Sequence, residues 1–137
     1  MHRKNRKPAN EGMLTAVLQA MNEAVVVKSA AGTITLWNRA AAELFGYTPP
    51  EVIGEKADIL IPPGELRHWR ECEKRLRGGG AVRRINAVRL AKDGVRIRVI
   101  LTATVVEKSR PAESDIVEIY RAPQATGADV LPAGGCL

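Results

Sequence analysis

The stretch that most limits what this chain can fold into is residues 95 to 108, VRIRVILTATVVEK. Side chains alternate across a strand, so Val95, Ile97, Val99, Leu101, Ala103 and Val105 share one face, while Arg96, Arg98, Thr102 and Thr104 share the other. A long strand with one apolar and one wet face requires a sheet around it and a cover over the apolar side. Residues 81 to 91 and 115 to 120, DIVEIY, supply two more strands, the first joined to the long strand by a Lys92-Asp93-Gly94 turn.

The amino-terminal half reads as two further strands and the cover. AVVVK (residues 24 to 28) and TITLW (33 to 37) flank a connection containing Gly32 and form a hairpin. Asn38 is a good N-cap, Ala40, Ala41, Ala42 and Leu44 propagate a helix, and Gly46 stops it. Residues 50 to 60 break into short helical turns around Gly54. Residues 64 to 77, GELRHWRECEKRLR, then form an amphipathic helix with Leu66, Trp69, Cys72 and Leu76 on one side. Five strands with helices gathered in mid-chain give an α+β class, an antiparallel sheet covered by helices on one face.

Upstream, Met13, Leu14, Val17, Leu18 and Met21 make an apolar stripe on an amphipathic helix over residues 11 to 23. The stripe needs a cover, either the domain's own sheet or the same helix of a second copy. Residues 1 to 10 form a basic arm, residues 11 to 122 a single domain, and residues 123 to 137 a tail with little to bury. Net charge is +6, and the arm contributes much of it. A solvated arm is the plainer reading, since nucleic-acid contact requires a docking element besides charge.

No apolar run approaches the roughly 20 residues of a membrane helix, and no apolar segment follows the basic terminus as in a secretory signal, so a cytoplasmic location is expected. Cys72 and Cys136 are far apart and are expected to be reduced thiols. The sequence has no nucleophile-base pair, metal cluster or phosphate loop, and Glu71, Glu73 and Asp93 read as solvated, so a non-enzymatic module is expected.

Three of the five aromatic residues, Trp37, Phe45 and Tyr47, lie within eleven positions. Together with Gly32, Trp37-Asn38, Ala41, Leu44-Phe45-Gly46-Tyr47, Glu51-Val52-Ile53-Gly54, Ile61-Pro62-Pro63, Gly78 to Gly80 and Lys92-Asp93-Gly94, they resemble the PAS domain over about residues 10 to 121. The resemblance implies a five-stranded sheet in the order 2-1-5-4-3, a pocket between sheet and helices, and a sensory role in signal transduction, as in two-component sensors. It also makes a ligand-free dimerisation or docking module of a histidine kinase or transcription regulator the alternative reading.

Within that resemblance, the chain is similar to the haem-binding oxygen sensors, whose axial ligand lies on the longer helix. Counting from Gly79 places that ligand at His68, which would bind a b-type haem; counting from Ile61 places it at Trp69. Helical geometry sets His68 roughly 85° from the centre of the apolar stripe. The position resembling the distal arginine holds Ile85, with Arg84 beside it on the other face, while Leu101 and Ala103 match the apolar distal wall. A photoreactive flavin lacks its cysteine motif, since Cys72 lies on the later helix and suits a core role. A citrate-type anion pocket is unsupported without an export signal.

The expected cavity is mainly apolar, lined by Val26, Leu36, Phe45, Ile53, Leu60, Trp69, Leu76, Leu101 and Ala103. Candidate cofactor contacts are therefore His68, Trp69, Cys72, Leu76, Ile85, Leu101, Ala103 and Phe45, with His68 as metal ligand if haem is bound. Pro123 follows the last strand and blocks a helical exit. Signalling is accordingly expected through contact with a partner protein or effector domain, with a homodimer through residues 13 to 21.

Overall fold

A computed structural model describes residues 6–79, 82–106 and 113–123, with side chains from residue 11 onward except residues 82 and 83. The amino-terminal part of the arm, the loop around Pro111, and the tail from residue 124 with Cys136 lie outside the described residues.

Helix α1 (Arg6–Ala20) leads into strands β1 (Ala24–Lys28) and β2 (Ile34–Trp37). It begins five residues earlier than the apolar stripe suggests, so residues 6 to 10 of the expected arm are helical. Helices α2 (Arg39–Phe45) and α3 (Pro49–Val52), two 3-10 turns, and α4 (Leu66–Arg77) come next, followed by β3 (Val82–Leu90), β4 (Arg96–Val106) and β5 (Asp115–Arg121). The strands form one antiparallel sheet in the order β2-β1-β5-β4-β3.

The alternation in β4 holds through its middle: Val99, Leu101 and Ala103 are buried against the helices, while Arg96, Arg98 and Thr104 are exposed. Val95, expected on the covered face, is 54% exposed in the turn before β4, where no helix lies over it, and Thr102, expected on the wet face, is half-buried. Val99, Leu101 and Ala103 join Val26, Ile34, Trp37, Phe45, Leu60, Trp69, Cys72, Leu76, Ile116 and Tyr120 in one core. The outward side is not uniformly wet, because Ile100 of β4 and Val25 of β1 are also buried there.

Local signals place the helices. The Asn38 side chain caps α2 by accepting from the Ala41 N–H, satisfying one orphan donor of the first turn. Gly46 ends that helix at φ 87°, a left-handed conformation in which a Cβ is unfavourable. Pro49 opens α3, and Thr48 and Glu51 form a capping box. Asn38 also organises the sheet: its Oδ1 accepts from the Val25 N–H at 2.9 Å, and its Nδ2 donates to Leu18 O at 2.9 Å and Glu23 O at 3.1 Å. One buried side chain thereby fastens the end of α1, the start of β1 and the start of α2.

Candidate ligand pocket

The space between α4 and the sheet departs from the apolar hollow that the sequence suggests. Lys28 of β1, Arg89 of β3 and Glu118 and Tyr120 of β5 all point to the helix side of the sheet, and all four are buried. Strand parity is the reason: Lys28 shares a face with Ala24 and Val26, Glu118 with Ile116 and Tyr120, and Arg89 with Ile85 and Ala87.

These groups form one network. The Lys28 ammonium lies 3.2 Å from Glu118 Oε2 and pairs also with Glu73 of α4. The Tyr120 hydroxyl donates to Glu118 Oε1, and Arg89 Nε donates to Tyr120 Oη at 3.4 Å. Arg89 Nη1 donates to Val88 O at 3.0 Å. The indole of Trp69 lies against both cations, with Lys28 Nζ 5.5 Å and Arg89 Cζ 5.1 Å from the ring centroid. Glu73, expected to be solvated, is thus half-buried and ion-paired.

Mutual compensation keeps the network charged. Burial disfavours the Glu118 carboxylate, but Lys28, Arg89 and the Tyr120 hydroxyl outweigh it and hold its pKa below the ordinary value. Burial likewise disfavours the Lys28 ammonium, yet Glu118 and Glu73 hold its pKa above the ordinary value. Burial and then Glu118 push the Tyr120 phenol well up, so it remains a donor.

Beside this network, Glu65, His68, Trp69, Ile85, Asn86 and Arg89 are among the residues lining a partly open cavity of about 60 Å³ between α4 and β3. Four buried side-chain atoms among the described residues make no hydrogen bond. Glu73 Oε2 and Glu118 Oε2 face the Lys28 ammonium as ion pairs, which leaves Trp69 Nε1 and Arg89 Nη2 as donors without acceptors.

The expected contact residues separate into groups. Trp69, Cys72, Leu76, Ile85, Leu101, Ala103 and Phe45 are all buried in the core, whereas His68 is exposed on the flank of α4. His68 Nε2 lies 3.7 Å from Cys72 Sγ. The described residues include no free cysteine, so Cys72 is not the reduced thiol expected. Ile53 is 43% exposed, and Leu36 pairs with Val27 on the opposite side of the sheet from Trp37, so neither belongs to the cavity wall. Arg84, at φ 50°, is exposed. The arginine that reaches the interior from β3 is Arg89, which sequence reading passed over.

These residues do not fit a b-type haem. A ligand of that size needs a pocket of roughly 300–1,000 Å³. Here the cavity holds about 60 Å³, and Lys28, Arg89, Glu118 and Tyr120 occupy the inner sheet face.

Comparison with known proteins agrees with the fold. The family model described as PAS fold matches residues 12–110. A probable serine/threonine-protein kinase of Dictyostelium discoideum is 35% identical over 96 residues, covering 66% of this chain and 6% of that protein. Sensor protein FixL of Bradyrhizobium diazoefficiens is 37% identical over 59 residues, covering 42% of this chain and 12% of that protein. This chain therefore spans only a small fraction of either relative's length. Among solved structures, a PAS domain from Colwellia psychrerythraea superposes with a TM-score of 0.74 at 20% identity, covering 81% of this chain and 94% of that one.

Proposed function

We propose, from the premise that the chain belongs to the PAS-fold family, that it is a sensory signal-transduction module that relays its state by contact with a second copy of itself through α1. The observation that carries this reading is the face of α1. Met13, Leu14 and Val17 stand 68%, 62% and 52% exposed at helical spacing, while Leu18 and Met21 of the same stripe are half-buried. Three large apolar side chains in a row on one helix favour a protein partner over water.

The helix is also mechanically tied to the pocket-bearing sheet. Asn38 holds Leu18 O and the Val25 N–H together, and Arg39 Nε donates to Gln19 O at 3.0 Å. A change in the sheet thereby reaches α1 through few intermediates. Binding and relay suit the centre of the molecule better than catalysis does: the buried Glu118 is held ionised by Lys28 and Arg89, a poor starting point for proton transfer. Among the described residues, no helix is long and apolar enough to cross a membrane.

Sedimentation equilibrium tests the reading. A concentration-dependent dimer that Leu14→Glu converts to a monomer of unchanged circular dichroism is the expected result. A wild-type chain that stays monomeric at high micromolar concentration overturns it.

A further inference from the structure

We infer that the cavity between α4 and β3 binds a small planar monoanion with two oxygen acceptors, a carboxylate or nitrate, held by Arg89 Nη2 and Trp69 Nε1. The inference deepens the sensory reading by giving the pocket a ligand class.

Both orphaned groups are donors by chemistry: an indole N–H and a guanidinium N–H cannot accept. Each belongs to a side chain about 3% exposed, and both side chains wall the same cavity. A buried donor without an acceptor is unfavourable, more so when charged, so the site calls for oxygen. The other two Arg89 nitrogens each have an acceptor, Nε the Tyr120 hydroxyl and Nη1 the Val88 carbonyl.

Size and charge narrow the class. The volume of about 60 Å³ matches roughly two waters at their ~30 Å³ share of the liquid, or an anion of three to four heavy atoms. Two oxygens on one planar group can accept from two separate donors at once, and a guanidinium favours a charged acceptor. Lys28 and Arg89 are matched in charge by Glu118 and Glu73, so the attraction comes from the unfilled Arg89 Nη2 and Trp69 Nε1 donors and not from a surplus cation. The Glu65 carboxylate at the rim interacts with Arg89 and opposes a second negative charge, which limits the ligand to a monoanion. His68 borders the opening and offers a further polar contact.

The two tryptophans give a direct readout. Trp37 Nε1 already donates to Tyr47 O at 2.9 Å and serves as an internal reference, while Trp69 Nε1 is the responsive donor. The indole N–H signals of the ¹⁵N-labelled chain are followed while formate, acetate and nitrate are titrated against chloride at equal ionic strength. The expected result is a saturable shift of the Trp69 signal with at least one of the three anions and a steady Trp37 signal. Trp69→Phe keeps an aromatic face, removes the N–H donor and raises the anion's Kd about tenfold. Glu65→Gln, at the half-buried rim, tightens binding about two- to fivefold. A Trp69 signal that ignores all three anions, or follows chloride equally, overturns the inference. Because the readout needs no dimer, its failure and the failure of the α1 relay are separately visible.

Discussion

Lys28 Nζ and Glu118 Oε2 stand 3.2 Å apart across β1 and β5, on the side of the sheet that the helices cover. A buried ion pair is weak evidence for stability as a whole, yet removing one partner leaves the other uncompensated in a poor solvent for charge. Glu118 serves Lys28, Tyr120 and Arg89 at once, while Glu73 retains a hold on Lys28. Glu118→Gln should therefore destabilise the fold by about 3 kcal/mol, the lower end of the range for a broken buried pair. In urea unfolding, Lys28→Met with Glu118→Leu should cost clearly less than the sum of the two single changes.

The same pair contributes to both limbs of the pH dependence, alongside Glu51 on the acid side and Tyr120 on the alkaline side. Glu118 titrates below its ordinary 4.5 in the folded chain, so the unfolded chain takes up the proton first as pH falls. Its stabilisation is present above pH 4.5 and is lost as pH falls through the lower folded value. Lys28 titrates above 10.5 when folded, so its contribution is full below that pH and is lost as pH rises through the higher folded value. The urea midpoint should stay level between these limits and fall outside them. Glu118→Gln should flatten the acid limb, and an unchanged acid limb would contradict the assignment.

Asn38 links three elements through four hydrogen bonds, two accepted by Oδ1 and two donated by Nδ2. Asn38→Ala strips a helix cap and leaves buried backbone groups unsatisfied, which together should cost about 3 kcal/mol. Asn38→Asp separates the parts: it keeps both accepted bonds but turns a carboxylate towards Leu18 O and Glu23 O. Its melting temperature should fall, and amide exchange should quicken first at the α1–β1 junction.

Much of the fold was legible because its signals are local. Asn38 and Gly46 delimit α2, Lys92-Asp93-Gly94 turns the chain between β3 and β4, and the alternation in β4 identifies its covered face. The pocket's polarity was legible too, but only by following parity through charged residues: in AVVVK, DIVEIY and INAVR, the charge falls on the same face as the buried apolar positions. A terminal Lys or a Glu within a short strand ordinarily belongs to the wet side, and only the pairing of β1, β5, β4 and β3 brings Lys28, Glu118 and Arg89 together. The one-residue ambiguity between His68 and Trp69 could not be resolved by counting from flanking motifs, because consecutive helical positions diverge by about 100°. The amphipathic stripe resolves it for Trp69, which is buried between Leu66 and Cys72 on the same side.

That divergence gives α4 a sharp internal contrast between His68 and Leu76. Leu76 is almost wholly buried in the core, so Leu76→Ala removes apolar contacts and leaves a cavity, at a cost of about 3 kcal/mol. His68 is exposed and makes one sulfur contact with Cys72 that a surface side chain contributes little by. His68→Ala should change stability by no more than about 0.5 kcal/mol. It should also leave the visible spectrum of a sample mixed with haemin the same as that of the wild type, since the inner face offers no room for the macrocycle. A Soret band shifted and sharpened relative to free haemin in the wild type, and not in His68→Ala, would show that α4 and β3 separate far enough to admit the macrocycle, against the packing of Arg89 on Trp69.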